Sequence, residues 1–341
     1  MELKHPTDLA GWHRWQSSQH RLRQARHALR PGPATRPERL VLTTYATEPR
    51  LLVAVDSSSP TSQAALIEPL CHLDVPLAVL SPGPVSDLPH REPLAQVEVD
   101  AGLPPALRGL RAVVSLGHHL PRGEVAHAWA RDLGITSLVV QHGALTPYAP
   151  PLPRGARLLA WSEEDADFWR SGRTDVRTDD IVGSQLLWRA GSQRPAGGAD
   201  APLTYLGQMH AAELPRARLV RAAAAFCRAH DAVYRPHPSE HDRLSRLAHH
   251  GYQGLGIRVD GSAPLAHLVG PVVSVFSTGV LEAAAQGRDA WVDFPRPPAW
   301  LGEFWERYGL RRSGGPPTPA PVRPEREPAR RIAEILTRAT A

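Results

Sequence analysis

A chain of 341 residues is long enough for two ordinary domains, and 42% hydrophobic with 21% charged residues is the profile of a folded protein, not a disordered one. Only two cysteines occur, Cys71 and Cys227, without Cys-x-x-Cys spacing, which excludes a disulfide framework or zinc knuckle and fits a reducing cytoplasm. Residues 1–39 hold eight basic residues against three acidic ones, the whole net charge of +5; the remaining chain is neutral, so no nucleic-acid partner is expected.

The chain starts MELKHPTDLAGWHRW, with no apolar run resembling a signal peptide, and no stretch approaches the ~20 apolar residues of a spanning helix. The expected location is cytoplasmic or peripheral on the inner face of the membrane. Thr7 to Arg30 reads as one basic amphipathic helix, with Leu9, Trp12, Trp15, Leu22, Ala25 and Leu29 at helical spacing, ended by Pro31, Pro33 and Pro37. Such a helix suits either contact with an anionic membrane through residues 7–30, its tryptophans in the interface, or packing against the protein's own surface.

From Leu51 onward, apolar runs alternate with helical patterns, the mark of a parallel sheet with crossover helices. Strands are expected at 51–56, 76–81, 111–117, 136–143, 156–162 and 180–184. The helices between them include 64–73, 123–133 and 163–171. GSQRPAGGADAP (191–202) has linker composition. A second set follows, with strands at 202–207, 232–238, 271–277 and 290–295 and helices at 213–229, 280–287, 299–308 and 324–340. The expected domains are an N-terminal basic amphipathic helix and linker (1–39), a first Rossmann-like domain (40–190), a linker (191–202), a second Rossmann-like domain (203–323) and a C-terminal helix (324–341). The fold class is α/β, two Rossmann-like domains facing a cleft, with ligands at the carboxyl ends of the strands.

Three strand ends carry chemistry. In Tyr234-Arg235-Pro236-His237-Pro238 the prolines stiffen a loop that offers a guanidinium fork and an imidazole to phosphate; the imidazole is one that can be charged near neutral pH. In Phe276-Ser277-Thr278-Gly279 a strand runs into a helix through two hydroxyls and a glycine, which is either an anion site or a plain N-cap. Glu282, one turn into that helix, either accepts from a ribose or sugar hydroxyl or is an ordinary solvated helix residue. In Gln141-His142-Gly143 the glycine lets the chain turn and present His142, a candidate base or a structural histidine. Asp56, closing the first strand, is a second candidate base or a loop acid.

Other patterns are set aside. Asp165 and Asp167 fall in a helix, where i and i+2 face apart and cannot share an ion. Lys4 is the only lysine, so there is no Walker A motif. His118-His119 and His249-His250 lack metal spacing and are expected on the surface.

Together, VVQHG, YRPHPSE and FSTGVLEAAAQG resemble GT-B transferases of bacterial surface polymers. The patterns are similar to the CDP-glycerol glycerophosphotransferases of teichoic acid synthesis and to the HP-motif sialyl- and Kdo-transferases of capsules. The resemblance implies a metal-independent, cofactor-free transferase acting on a CMP- or CDP-linked donor and a glycan or lipid-linked acceptor. It casts His142 as the base. His237, with Arg235, Ser277, Thr278 and Gly279, would hold the donor phosphate, and Glu282 the ribose or sugar. Where the HP-motif sialyltransferases carry an acidic pair before glycine, this chain has Gln141-His142. Two other readings share the fold: an enzyme like the UDP-N-acetylglucosamine 2-epimerases, and a non-catalytic nucleotide-binding relative.

Overall fold

The computed structural model describes residues 1–19, 39–193 except 84, 86, 87 and 89, and 201–341. Residues 20–30 of the expected N-terminal helix and 194–200 of the expected linker lie outside the described residues. The chain divides into two compact units, one of Glu2–Leu186 with Pro324–Ala341 and one of Leu187–Arg323 with Met1.

In the first unit, helix α1 (Leu9–Ser18) precedes strands β1 (Leu40–Thr44), β2 (Leu51–Ala54), β3 (Leu77–Ser81), β4 (Ala95–Val99) and β5 (Ala112–Ser115). Helix α2 (Pro121–Leu133), β6 (Thr136–Val140), β7 (Arg157–Ala160), α3 (Glu163–Arg170) and β8 (Arg177–Ile181) follow. The strands form one sheet in the order β4-β1-β3-β2-β5-β6-β7-β8. The run from β3 to β8 is parallel, and β1 pairs antiparallel with β3 and β4. β2, β3 and β5 are buried at every position, which is why they read as apolar runs and not as alternating ones. Leu51, Val53, Val79 and Val114 enter one core and Leu52, Ala54, Leu80 and Val113 the other, as a period of two requires. β1 and β4 are not among the expected strands; β4 is an exposed edge with no apolar run to mark it.

The expected helix 64–73 winds unevenly: an α turn at Pro60–Ser62, π at Gln63–Ile67 and 3-10 at Glu68–His72. Pro69 has no N–H to continue an α ladder, so the pitch changes around it. Helix α3 is capped by Ser162, whose Oγ accepts from Asp165 N–H at 3.1 Å, and has three acids in its first turn.

A short helix, α4 (Gln185–Ala190), spans the boundary between the units. The second unit holds β9 (Thr204–Leu206), α5 (Arg216–His230), β10 (Val233–Arg235), α6 (Arg243–Gly254), β11 (Val272–Ser274), α7 (Thr278–Ala285), β12 (Ala290–Val292) and α8 (Ala299–Arg307). Its sheet is parallel, in the order β10-β9-β11-β12. The final helix, α9 (Pro328–Thr340), returns to the first unit: Ile332, Ala333, Ile335 and Leu336 complete the core around Leu51 and Val53. Gln185 ties it there, donating to Glu68 and Glu327 at 3.0 and 3.1 Å and accepting from Ala329 N–H at 3.0 Å.

Candidate functional sites at two sheet edges

In a parallel sheet, ligands bind at the carboxyl ends of strands, best where the strand order reverses. In the first unit that point lies between β2 and β5, flanked by Asp56 and by the Gly117-His118-His119 turn. Asp56 Oδ1 accepts from Arg122 N–H at 2.9 Å and Oδ2 from Gly123 N–H at 3.1 Å. Leu120, the N-cap residue of α2, has no side chain able to cap, so Asp56 reaches across to do it. Through both oxygens Asp56 holds the start of α2, which is the structural role the sequence offered beside that of a base. The same joint explains Gly123: a Cβ there would sit 1.9 Å from the Gly117 carbonyl oxygen.

His142 leaves the end of β6 and lines a small pocket with Thr61, Trp161, Ser184 and Gln185. Gln141, buried beside it, sets the turn. Its amide donates to Gly143 O at 3.1 Å and to Asp165 at 2.6 Å, and its Oε1 accepts from Trp161 N–H at 2.9 Å. Asp165 is thereby spoken for inside the unit while Asp167 pairs outside with Arg170, so the two acids face apart as expected. Burial holds the His142 imidazole down to about 4, and its Nδ1 has no hydrogen-bond partner among the described residues. The ring is thereby held in its neutral form at pH 7.

His118 and His119, expected on the surface, are half-buried at the end of β5. Desolvation lowers them to about 4 and 3, and His142 and His118 depress His119 further. His118 Nε2 and His119 Nδ1 are also buried without a partner among the described residues. The signal was present: Gly117-His118-His119 follows an apolar strand just as Gln141-His142-Gly143 does.

In the second unit the strand order reverses between β9 and β11. The Arg235–Pro238 loop leaves β10 and the Ser277–Gly279 turn leaves β11. With one strand between, the two loops start roughly 10 Å apart. His237 Nδ1 accepts from Ser239 N–H at 3.1 Å, which leaves Nε2 as the N–H donor. Desolvation, then the neighbouring His210, lowers His237 to about 4, so this imidazole, of a type that can be charged near neutral pH, is neutral at pH 7. Arg235 rests Nε and Nη2 on the Ala263 carbonyl at 3.3 and 3.0 Å, and the Glu282 carboxylate acts on its charge. Ser277 is the N-cap of α7, accepting from Gly279 N–H at 3.1 Å. Gly279 fits because a Cβ would meet Leu206 and Leu265 side chains within 3 Å. Desolvation raises the Glu282 carboxyl against the pull of Arg189, Arg288 and Arg235.

Residues the motifs did not mark complete this edge. His210 stacks on His237 with ring centroids 3.7 Å apart and planes at 18°. Glu240, buried below, accepts from Met209 N–H and the Tyr234 hydroxyl at 2.8 Å each, and stands 3.2 Å from His249 Nε2. Gln208 Oε1 accepts from Val275 and Phe276 N–H at 3.2 and 2.8 Å, shaping the turn that delivers Ser277. Gly207 is required here, since a Cβ would lie 2.3 Å from the Tyr234 hydroxyl. His249 is half-buried against Glu240, whereas His250 is exposed as expected. Among the described residues no group of three His, Cys, Asp or Glu side chains is placed to hold a metal ion, and no helix is long and apolar enough to cross a membrane.

No family model matches this sequence, and no curated protein matches it either. Among solved structures the chain is similar to the pneumococcal O-GlcNAc transferase GtfA, determined in complex with UDP and GlcNAc, at 13% identity and a TM-score of 0.36. The match covers 67% of this chain and 50% of that one, so the chain spans half the length of the structure it resembles. A likeness that slight assigns no activity, and the α/β class rests on the two sheets themselves.

Proposed function

We propose that this protein is a GT-B transferase that moves a sugar or polyol phosphate from a CMP- or CDP-linked donor to a cell-surface glycan or lipid-linked acceptor. The cleft of that architecture belongs to the proposal. The observation that carries it is the second unit's edge: a neutral His237 with Nε2–H as its donor, Arg235 on the same loop, and the Ser277-capped start of α7 two strands away. Such a set suits a phosphate leaving group, because N–H donors, a fixed cation and a helix N-terminus all gain as charge develops there.

In this reading the acceptor hydroxyl gives its proton to His142, and its oxygen attacks the activated centre. The nucleotide leaves with the bonding electron pair, and Arg235, His237, Ser277 and Thr278, with Gly279 letting the phosphate approach closely, meet the charge without a metal. Glu282 accepts from a ribose or sugar hydroxyl. His142 is neutral at pH 7 and so already in the form that accepts a proton.

Calorimetry with CMP, CDP, UDP, GDP and dTDP tests the reading. Selective cytidine nucleotide binding is expected, weakened about 10- to 100-fold in His237→Ala as a hydrogen bond to a charged phosphate is lost. Equal binding by wild type and His237→Ala would sink the assignment.

A further inference from the structure

Helix α6 turns the usual arrangement around. Its polar Ser245 and its Tyr252 are buried, while Leu244 is 51% exposed, Leu247 68% and Leu255, at the C-cap, 52%. Single exposed leucines are ordinary. These three, with Gly251, follow at spacings of three, four and four, which puts them on one stripe of the helix. The inward face leaves them no way in: the Tyr252 hydroxyl donates to Val220 O of α5 at 3.1 Å, and its ring packs edge-on against Tyr234.

The flank of the stripe is basic. Arg243, Arg246 and His250 are exposed beside it, and Arg243–Gly254 contains no carboxylate. The adjacent α5 adds exposed Arg221 and Arg228, and the acid at its C-cap, Asp231, is met by Arg258. Asp242, which caps α6, is engaged by Arg216 and by Ser245. An apolar stripe bordered by cations and free of acids matches the interface of an anionic bilayer, where leucines enter the acyl boundary and arginines meet phosphates. A second copy fits worse, since a two-fold contact would set Arg243 and Arg246 against the same stripe, which offers no carboxylate to meet them.

We propose that the Leu244–Leu247–Leu255 stripe of α6 docks the protein on an anionic lipid surface. This does not rest on the transferase reading. The test is flotation of the full chain with phosphatidylglycerol-containing vesicles and with pure phosphatidylcholine vesicles. Compared are wild type, L244Q/L247Q and R243Q/R246Q. Wild type is expected on the anionic vesicles only, with partitioning reduced at least tenfold in both double variants and melting temperatures unchanged. Three results overturn the proposal: no flotation of wild type; equal flotation of L244Q/L247Q, which would leave only charge attraction; or a dimer in sedimentation that L244Q/L247Q dissolves while vesicles do not bind.

Discussion

Helices α1 and α6 make opposite use of the same kind of pattern. In α1 the aromatic positions look built for a membrane interface, yet Trp12 is 5% exposed and its indole donates to Tyr148 O at 2.7 Å. Trp15 stacks on Tyr148 with centroids 4.7 Å apart, and His119 meets Trp12 edge-on at 5.5 Å. In α6 the leucines look like core residues and stand in solvent. Periodicity tells which faces of a helix differ; which face is covered depends on what else the chain brings to it.

The largest effect expected from breaking this contrast is at Trp12. Trp12→Ala should cost about 3–5 kcal/mol in chemical denaturation, because it empties a buried site and removes the indole hydrogen bond to Tyr148 O. A change near zero would mean that α1 does not pack as described. Acid comes next. In an unfolded chain the imidazoles titrate near about 6.5, whereas His118, His119 and His142 are held to about 4, 3 and 4. Their folded values are depressed, so below pH 6.5 the unfolded state binds more protons. The stability present at neutral pH is then lost as pH falls toward 4. Hydrogen exchange should register this in residues 9–18, next to His119; unchanged protection there between about pH 6.5 and about pH 4 would refute the link. The smallest effect belongs to Leu247→Gln, expected within about 0.5 kcal/mol of wild type, as for exposed sites generally. A loss of 2 kcal/mol or more would show that α6 is covered.

Much of the fold was legible from the sequence for a simple reason. Strands buried on both faces, such as Leu51–Ala54 and Ala112–Ser115, write unbroken apolar runs, and glycines and prolines punctuate them. Edge and surface elements write no such signal, which is why β4 and α6 were invisible. The candidate site was legible in part. His142, Arg235, His237, Ser277 and Glu282 announce themselves by following strands, since that is where parallel sheets present side chains. His210 and Glu240 do not, because one acts by stacking on His237 and the other from burial beneath it.

The sequence by itself determined the α/β class, two successive strand–helix sets and the strand ends that carry phosphate-suited groups. These follow from local periodicity and from residue chemistry. Only the tertiary structure decided three further matters: that Asp56 caps α2, that His237 is a neutral donor, and that α9 completes the first unit's core. The cap joins groups 66 positions apart, Asp56 and Arg122, and the other two rest on packing and desolvation that exist only after the sheets have formed.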